Sequence, residues 1–542
     1  MRPRDLERLA ESTYDVLIVG GGIHGLAVAY EAASRGLHVA LVEAVDLGSG
    51  ASFNHQKTAH GGLRALQTGH IGRARVAIRE RRALARIAPW LLRPFPFILG
   101  TYRSVVRSRL AIRALFKLDE WLGRKRNMGL EPELHLPAPR LVSKAATLRL
   151  FPGIRPEHLT GGAQWYDYQM VEAERLTMAF AAAADRAGAD LANYVEALAP
   201  VRENGRITGF IVRDRVTDAT FPLKARTIVN AAGSRCGEIM TALGMKRTLP
   251  LLKAMNLVTS KRASDIALAA PATDGRMLTL VPWRGRALVG TSQSASLARP
   301  EDVEASATEV DGFIAEANHA FPALKLTRSD VTLVHRGVVP ASLERDGRAG
   351  LRTESQVLDH ATDGAAEAIS VVGVKYTTAR RVAERVTDLL GRKLNKRISP
   401  SRTSLTVLPG AGIADHEALA IATGRESALE LPPATLRPLI ARYAEGAAHI
   451  VRLMGGREDL RAPVASGRPT VGAEIVYAIR TEMALTLADI VIRRTGLGEA
   501  GHPGTEAVQA CARIAAAELG WDAAREAREI AAVDEFYRIE ER

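Results

Sequence analysis

Three glycines spaced as Gly20-x-Gly22-x-x-Gly25 stand between an apolar run, Val16 to Val19, and a stretch that reads as a helix, Leu26 to Arg35. That pattern suits a pyrophosphate. Gly20 would allow a tight turn, Gly22 the approach of a phosphate to the backbone, and Gly25 close packing of helix on strand. The helix start offers unpaired N–H groups and a positive dipole end. Glu43 ends the next short strand, His38 to Glu43, at a spacing where a carboxylate can accept bonds from a ribose hydroxyl. Strand, glycines, helix, strand and acid in this order predict a dinucleotide site. They do not choose between a flavin and a nicotinamide dinucleotide.

Other segments bear on that choice. Gly48-Ser49-Gly50-Ala51-Ser52 leads to Lys57-Thr58-Ala59-His60-Gly61-Gly62-Leu63-Arg64. Asn193-Tyr194-Val195-Glu196, Val229-Asn230-Ala231-Ala232-Gly233 and Gly373-Val374-Lys375-Tyr376-Thr377-Thr378 follow. Near the end, Glu482-Met483-Ala484-x-Thr486-Leu487-x-Asp489 precedes Arg493-Arg494-Thr495. In this order, over nearly the whole chain, these segments resemble the FAD-dependent glycerol-3-phosphate dehydrogenases of the wider D-amino-acid-oxidase-type flavin oxidoreductases.

The resemblance implies FAD, hydride transfer from an alcohol carbon to flavin N5, and conversion of glycerol 3-phosphate to dihydroxyacetone phosphate, with a quinone or other acceptor taking the electrons. It puts Ser52, Thr58, Gly61, Gly62, Gly233, Gly373, Lys375 and Thr377 along the flavin. It puts an adenine-side strand at Asn193–Glu196, with Val195 as a cofactor contact. Arg64 and Arg352 would hold the phosphate, since a planar guanidinium binds phosphate through two parallel bonds. Lys375 would offset negative charge on flavin or substrate oxygen. His60 would serve as base or flavin contact. His24, inside the glycine turn, reads as incidental, and His335 and Arg336 as residues near the pocket.

Substrate-side positions depart from the family. Ala65 stands where Tyr is usual, and Gly337-Val338-Val339-Pro340 has Val339 in place of an Arg. Lys253-Ala254-Met255-Asn256 lacks a His. The flavin-side pattern is better kept. A related dehydrogenase or oxidase acting on another polyol, a hydroxy acid or an amine is therefore the alternative, and a flavin-binding protein without turnover is a third reading.

The elements that must position these residues follow from length and pattern. A chain of 542 residues exceeds one ordinary core. Residues 13–395 read as one FAD-dependent unit of α/β (α+β) class. Its Rossmann-like FAD-binding part is discontinuous, and a mixed-sheet substrate domain is inserted at roughly 91–165 and 245–345. Val258, Met277 to Val281 and Ala287 to Val289 suit strands there. Lys393 to Ser404 reads as a linker, and 405–542 as an all-α domain.

Lys+Arg exceed Asp+Glu by 73 to 60, giving a net charge of +13. That excess suits an anionic substrate or membrane surface. Zinc-finger spacing and RNA-binding aromatic signatures are missing, so no nucleic-acid partner is expected. Cys236 and Cys511, the two cysteines, are far apart and suggest neither a disulfide framework nor a metal site. They suit a reducing cytoplasm. No apolar run reaches the ~20 residues of a bilayer span. Arg103 to Arg126 reads as a basic amphipathic helix, with Val105, Ile112, Leu115, Leu118 and Leu122 on one side, and could lie peripherally on anionic lipid. A homodimer is compatible with this reading.

Overall fold

The computed structural model describes residues 1–103, 108–343, 347–410 and 431–540. The apolar run before the glycines forms the middle of the first sheet. Thr13–Val19 pairs in parallel with Val39–Glu43 on one side and Thr220–Asn230 on the other. Asp190–Asn193 and Ala368–Val372 extend the parallel set, and Gln356–Asp359 runs antiparallel at one edge. Parallel strands covered on both faces need apolar side chains throughout, and Val16, Leu17 and Ile18 are all buried. Helices Ile23–Ser34, Ala173–Arg186 and Ala379–Lys393 lie side by side, with Ile23–Ser34 in the middle. The antiparallel pair Val195–Glu203 and Arg206–Asp214, with helix Cys236–Ala242, helps close a second core that includes Leu17, Phe210 and Met240.

The second sheet has ten strands. Its long members are Leu92–Tyr102, Leu159–Met170, Leu251–Thr259, Met277–Trp283, Arg286–Gln293 and Val331–Leu343. The pairings are antiparallel except where Ala267–Pro271 lies along Leu92–Tyr102. Val258, Met277 to Val281 and Ala287 to Val289 lie on strands, as their pattern predicts. Helix Ala307–Ala320 shares one core with this sheet. Val258, Trp283, Leu288 and Leu333 share another with the C-terminal helices.

From Pro433 onward the described chain is helical, from Pro433–Tyr443 to Ala523–Tyr537. Residues 411–430 of the expected all-α domain lie outside the described residues. Two details differ from the sequence reading. The adenine-side strand at Asn193–Glu196 is two strands that meet at Tyr194, which has left-handed backbone (φ 56°). The basic helix spans Arg109–Leu122, and Val105 and Arg107 lie outside the described residues. Its Ile112 and Phe116 are buried against Ala163, so the apolar side packs on its own domain rather than facing outward. Its outer surface carries exposed Leu110, Arg113, Lys117 and Trp121.

The C-terminal helices are bolted to the first sheet by charge. Arg494 reaches both carboxylate oxygens of Asp46, at 2.6 and 2.9 Å, and Arg493 Nε reaches Asp46 Oδ2 at 2.7 Å. Asn193 also donates to Asp46, and Tyr194 donates to Asp489. Arg175 and Glu482 form a second bidentate pair, at 2.6 and 2.8 Å. Burial alone would raise the Asp46 carboxyl pKa; Arg494 and Arg493 outweigh burial and hold it below the usual range. Removing one partner of a buried pair strands the other charge. Arg494→Met should therefore destabilise the protein by about 3 kcal/mol, near the low end of the usual range because Arg493 remains. The shift of the urea midpoint measures it.

Candidate active site

The glycine turn is built for close approach. A Cβ on Gly25 would lie 1.8 Å from the Gly20 carbonyl oxygen. Gly20 itself has φ +112°, and a Cβ there would lie 2.5 Å from the Ala231 oxygen. Helix Ile23–Ser34 starts inside the turn, with Gly22 at its N-cap and neither a capping side-chain bond nor an acid in its first turn. Ser52 Oγ accepts from the Ile23 N–H at 2.9 Å. With no acid in its first turn, this helix end suits a pyrophosphate. Glu43 clamps the same loop, accepting from Gly21 N at 2.6 Å and from Val45 N at 2.9 Å. Burial raises its pKa, against those two backbone bonds. Val195 is buried and pairs with Asp214. The residues therefore fit an ADP-type group laid from the turn toward Glu43 and the Tyr194 corner, where the C-terminal bolt also attaches.

Segment 51–64 passes from this turn to the second sheet. Lys57 is fully buried, with left-handed backbone, and bonds to the Glu174 carboxylate and the Phe53 carbonyl. The Thr58 hydroxyl donates to Gln56. Gly61 is required by its neighbour, because a Cβ there would lie 2.1 Å from Arg81 Nη1. Gly62 has φ +84° and starts the short helix Leu63–Gln67, which presents Arg64 to solvent. His60 is exposed, and its Nδ1 lies 3.3 Å from Asp167 Oδ2. Asp167 is buried, pairs with Arg81 and accepts from Gly61 N at 2.7 Å. Burial would raise the Asp167 pKa, but Arg81 and the His60 bond more than offset it and keep the carboxylate ionised.

The late loop packs on this segment, with the Tyr376 and His55 ring centres 5.1 Å apart. Gly373 has no room for a side chain, since a Cβ would lie 2.5 Å from His24 Nδ1. His24 thus packs on the late loop rather than sitting idle, and burial lowers its pKa to about 4. Thr377 is buried in the turn Tyr376–Thr378, and Gly233 has φ +60°. The Glu80–Arg380 pair, at 2.6 and 2.8 Å, ties helix Ile71–Ile87 to the helix that follows Lys375. Lys375, in the late loop, is exposed. Desolvation by the surrounding protein, then Arg64 and Arg73, lowers its ammonium pKa.

Arg73 was not evident from sequence. Its Nε lies 2.6 Å from Glu354 and its Nη1 donates to Thr353 at 3.2 Å. Arg64 and Arg73 come from separate helices and lie near enough to Lys375 for their charge to act on it. Arg352, just before Thr353, is half-buried and turns Nε to the Ala341 carbonyl at 3.3 Å. Val339 pairs with Leu252, and Arg336 does not replace the missing cation. The Arg336 guanidinium is held by Glu304 at 2.6 Å and by the Phe536 carbonyl at 3.1 Å. His335 is buried, with Nδ1 3.4 Å from Asn54. Asn256 is buried and accepts from the Thr291 hydroxyl at 2.8 Å. Among the described residues no group of three His, Cys, Asp or Glu could hold a metal, and no helix is long and apolar enough to cross a membrane.

Behind Lys57, Glu172, Glu174, Glu474 and Glu499 share Lys57, Arg284 and Arg442. Four carboxylates facing three cations favour one retained proton. Burial raises the Glu499 pKa to about 7 despite Arg284. Between 4.5 and about 7 the folded chain thus holds a proton that the unfolded chain releases. Stability contributed by this group is full below that window and lost as pH rises through it. The melting temperature of the wild type should fall more steeply from pH ~5 to ~7.5 than that of Glu499→Gln.

Fold and site together define an FAD-dependent oxidoreductase. Residues 15–389 match the FAD dependent oxidoreductase family, and 401–526 match the C-terminal domain of alpha-glycerophosphate oxidase. The chain is 31% identical over 511 residues to a glycerol-3-phosphate dehydrogenase of Synechocystis, covering 91% of this chain and 90% of that one. It is 32% identical to glycerol-3-phosphate dehydrogenase 2 of Mycobacterium bovis, covering 97% and 88%. The solved structure of the Bacillus halodurans glycerol-3-phosphate dehydrogenase with FAD superposes with a TM-score of 0.76 at 24% identity, over 98% of this chain and 95% of that one. The chain belongs to the FAD-dependent glycerol-3-phosphate dehydrogenase family.

Proposed function

We propose that this chain oxidises glycerol 3-phosphate to dihydroxyacetone phosphate and delivers the electrons to a quinone. The nearness of Arg64 and Arg73 to Lys375 carries the reading, because a phosphate dianion needs several cations to leave water. The whole-length likeness to relatives named glycerol-3-phosphate dehydrogenase supports it. Bound FAD supplies the two-electron acceptor. Gly20, Gly22 and Gly25 seat its pyrophosphate, Glu43 its ribose, and Ser52, Thr58, Gly61, Gly62, Gly233, Gly373 and Thr377 border the flavin, with Val195 near the adenine. Arg64 binds the substrate phosphate, and Arg352 lines the same edge. Lys375 offsets negative charge at the reacting end. His60, oriented by Asp167, takes the hydroxyl proton.

Exposed Leu110 and Trp121, beside Arg113 and Lys117, support a peripheral bilayer contact that would bring a quinone within reach. Val339, in place of a cation, favours a second reading in which a different polyol, hydroxy acid or amine is oxidised. Anaerobic addition of glycerol 3-phosphate decides between them. Bleaching of the flavin is the expected result; bleaching only by other substrates selects the second reading. Arg64→Ala should keep its flavin but lose about 1.5–3 kcal/mol of transition-state binding, roughly 10–150-fold in kcat/KM. Unchanged kinetics would remove Arg64 from the site.

A further inference from the structure

A second concentration of positive charge lies on the other side of helix Ile71–Ile87. Arg75, Arg79 and Arg82 recur there one helical turn apart and face a cavity of about 490 Å³. Arg124, Lys125 and Arg126 close it from the turn after helix Arg109–Leu122. Among the described residues no carboxylate lines this cavity.

Backbone carbonyls hold much of the walls in place. Arg82 donates to the Lys125 carbonyl at 2.8 Å, and Arg86 to the Met128 carbonyl at 2.9 Å. Among the lining cations only Arg126 has an acidic partner in the described residues, Asp119 at 3.1 Å. Burial, followed by the neighbouring charges of Arg86 and Arg79, lowers the Arg82 pKa. Such a cluster repels itself unless an anion enters. Exposed Trp121 and Met128 add apolar surface at the rim.

We propose that this groove is a second anion site, apart from the flavin cleft, that takes a multiply charged phosphate group. The guanidinium forks of Arg75 and Arg79 match phosphate oxygens, and the fixed turn 124–128 supplies the opposite wall. The group arrives either free in solution or on the headgroup of an acidic lipid. The site does not depend on the substrate proposed above.

Calorimetric titration of the FAD-loaded protein with tripolyphosphate tests it, with Arg64→Ala as the background so that the flavin cleft contributes little. Binding should occur and weaken at least about tenfold in the charge reversal Arg75→Glu with Arg79→Glu, and fade as salt rises. Vesicles of phosphatidylcholine, alone or mixed with phosphatidylglycerol, form the second arm. Retention only on mixed vesicles, lost in the same reversal, supports the site with lipid as the phosphate source. The milder Arg79→Gln serves if the reversal does not fold, and flavin content and melting temperature report that. The proposal is overturned if neither probe binds, or if the reversed protein binds both as the parent does.

Discussion

Gly25→Val should yield protein without flavin, with activity reduced by at least ~10²-fold. The reason is local and steric. The added Cβ alone would lie 1.8 Å from the Gly20 oxygen, and the branched methyls would come on top of that. Gly20 cannot retreat, because its N–H is bonded to Val42 and Ala231 lies behind it. The helix end must therefore lift from the strand, and the pyrophosphate loses its aligned N–H groups. The ratio of flavin to protein absorbance reads the result directly. Gly25→Ala should show the same loss to a smaller degree. A fully loaded, fully active Gly25→Val protein would mean that the phosphates lie elsewhere.

Lys375→Met should retain FAD and lose about 10²–10³-fold in kcat, the usual cost of removing one group aimed at developing negative charge. Lys375→Arg should recover part of the loss. The lowered ammonium pKa adds a second readout. Activity that needs the charged form must fall as pH rises, starting below 10.5, the free-lysine value. The residual activity of Lys375→Met should lack that alkaline limb. If kcat stays at the parent value, the late loop only shapes the cleft.

The glycine cradle was legible because every signal in it is local: an apolar run, three glycines and an acid within one βαβ unit. Glu43 was legible as an acid at the right distance, but its clamp on Gly21 was not. Residues that act through distant partners gave less away. His60 reads as a candidate base in sequence, yet its orientation depends on Asp167 and Arg81, which no spacing rule links to it. Arg73 lies in a helix with many arginines, and only the fold shows that it turns to Glu354, near Lys375. His24 looked incidental because the residue it fits, Gly373, comes from the far end of the unit. The apolar side of helix Arg109–Leu122 looked available to lipid, since the pattern cannot say that Ala163 covers it.

Asp46 and Arg494, which meet at the nucleotide end of the first sheet, are separated by 448 residues. At roughly 5–20 residues per second, synthesis takes about 20–90 s to cover that gap. A nascent chain therefore carries a finished glycine turn beside a carboxylate that still waits for its cations. The Asp46 corner reaches its final form last, and a ribosome that stalls before residue 493 leaves a polypeptide in which that buried carboxylate has neither arginine partner.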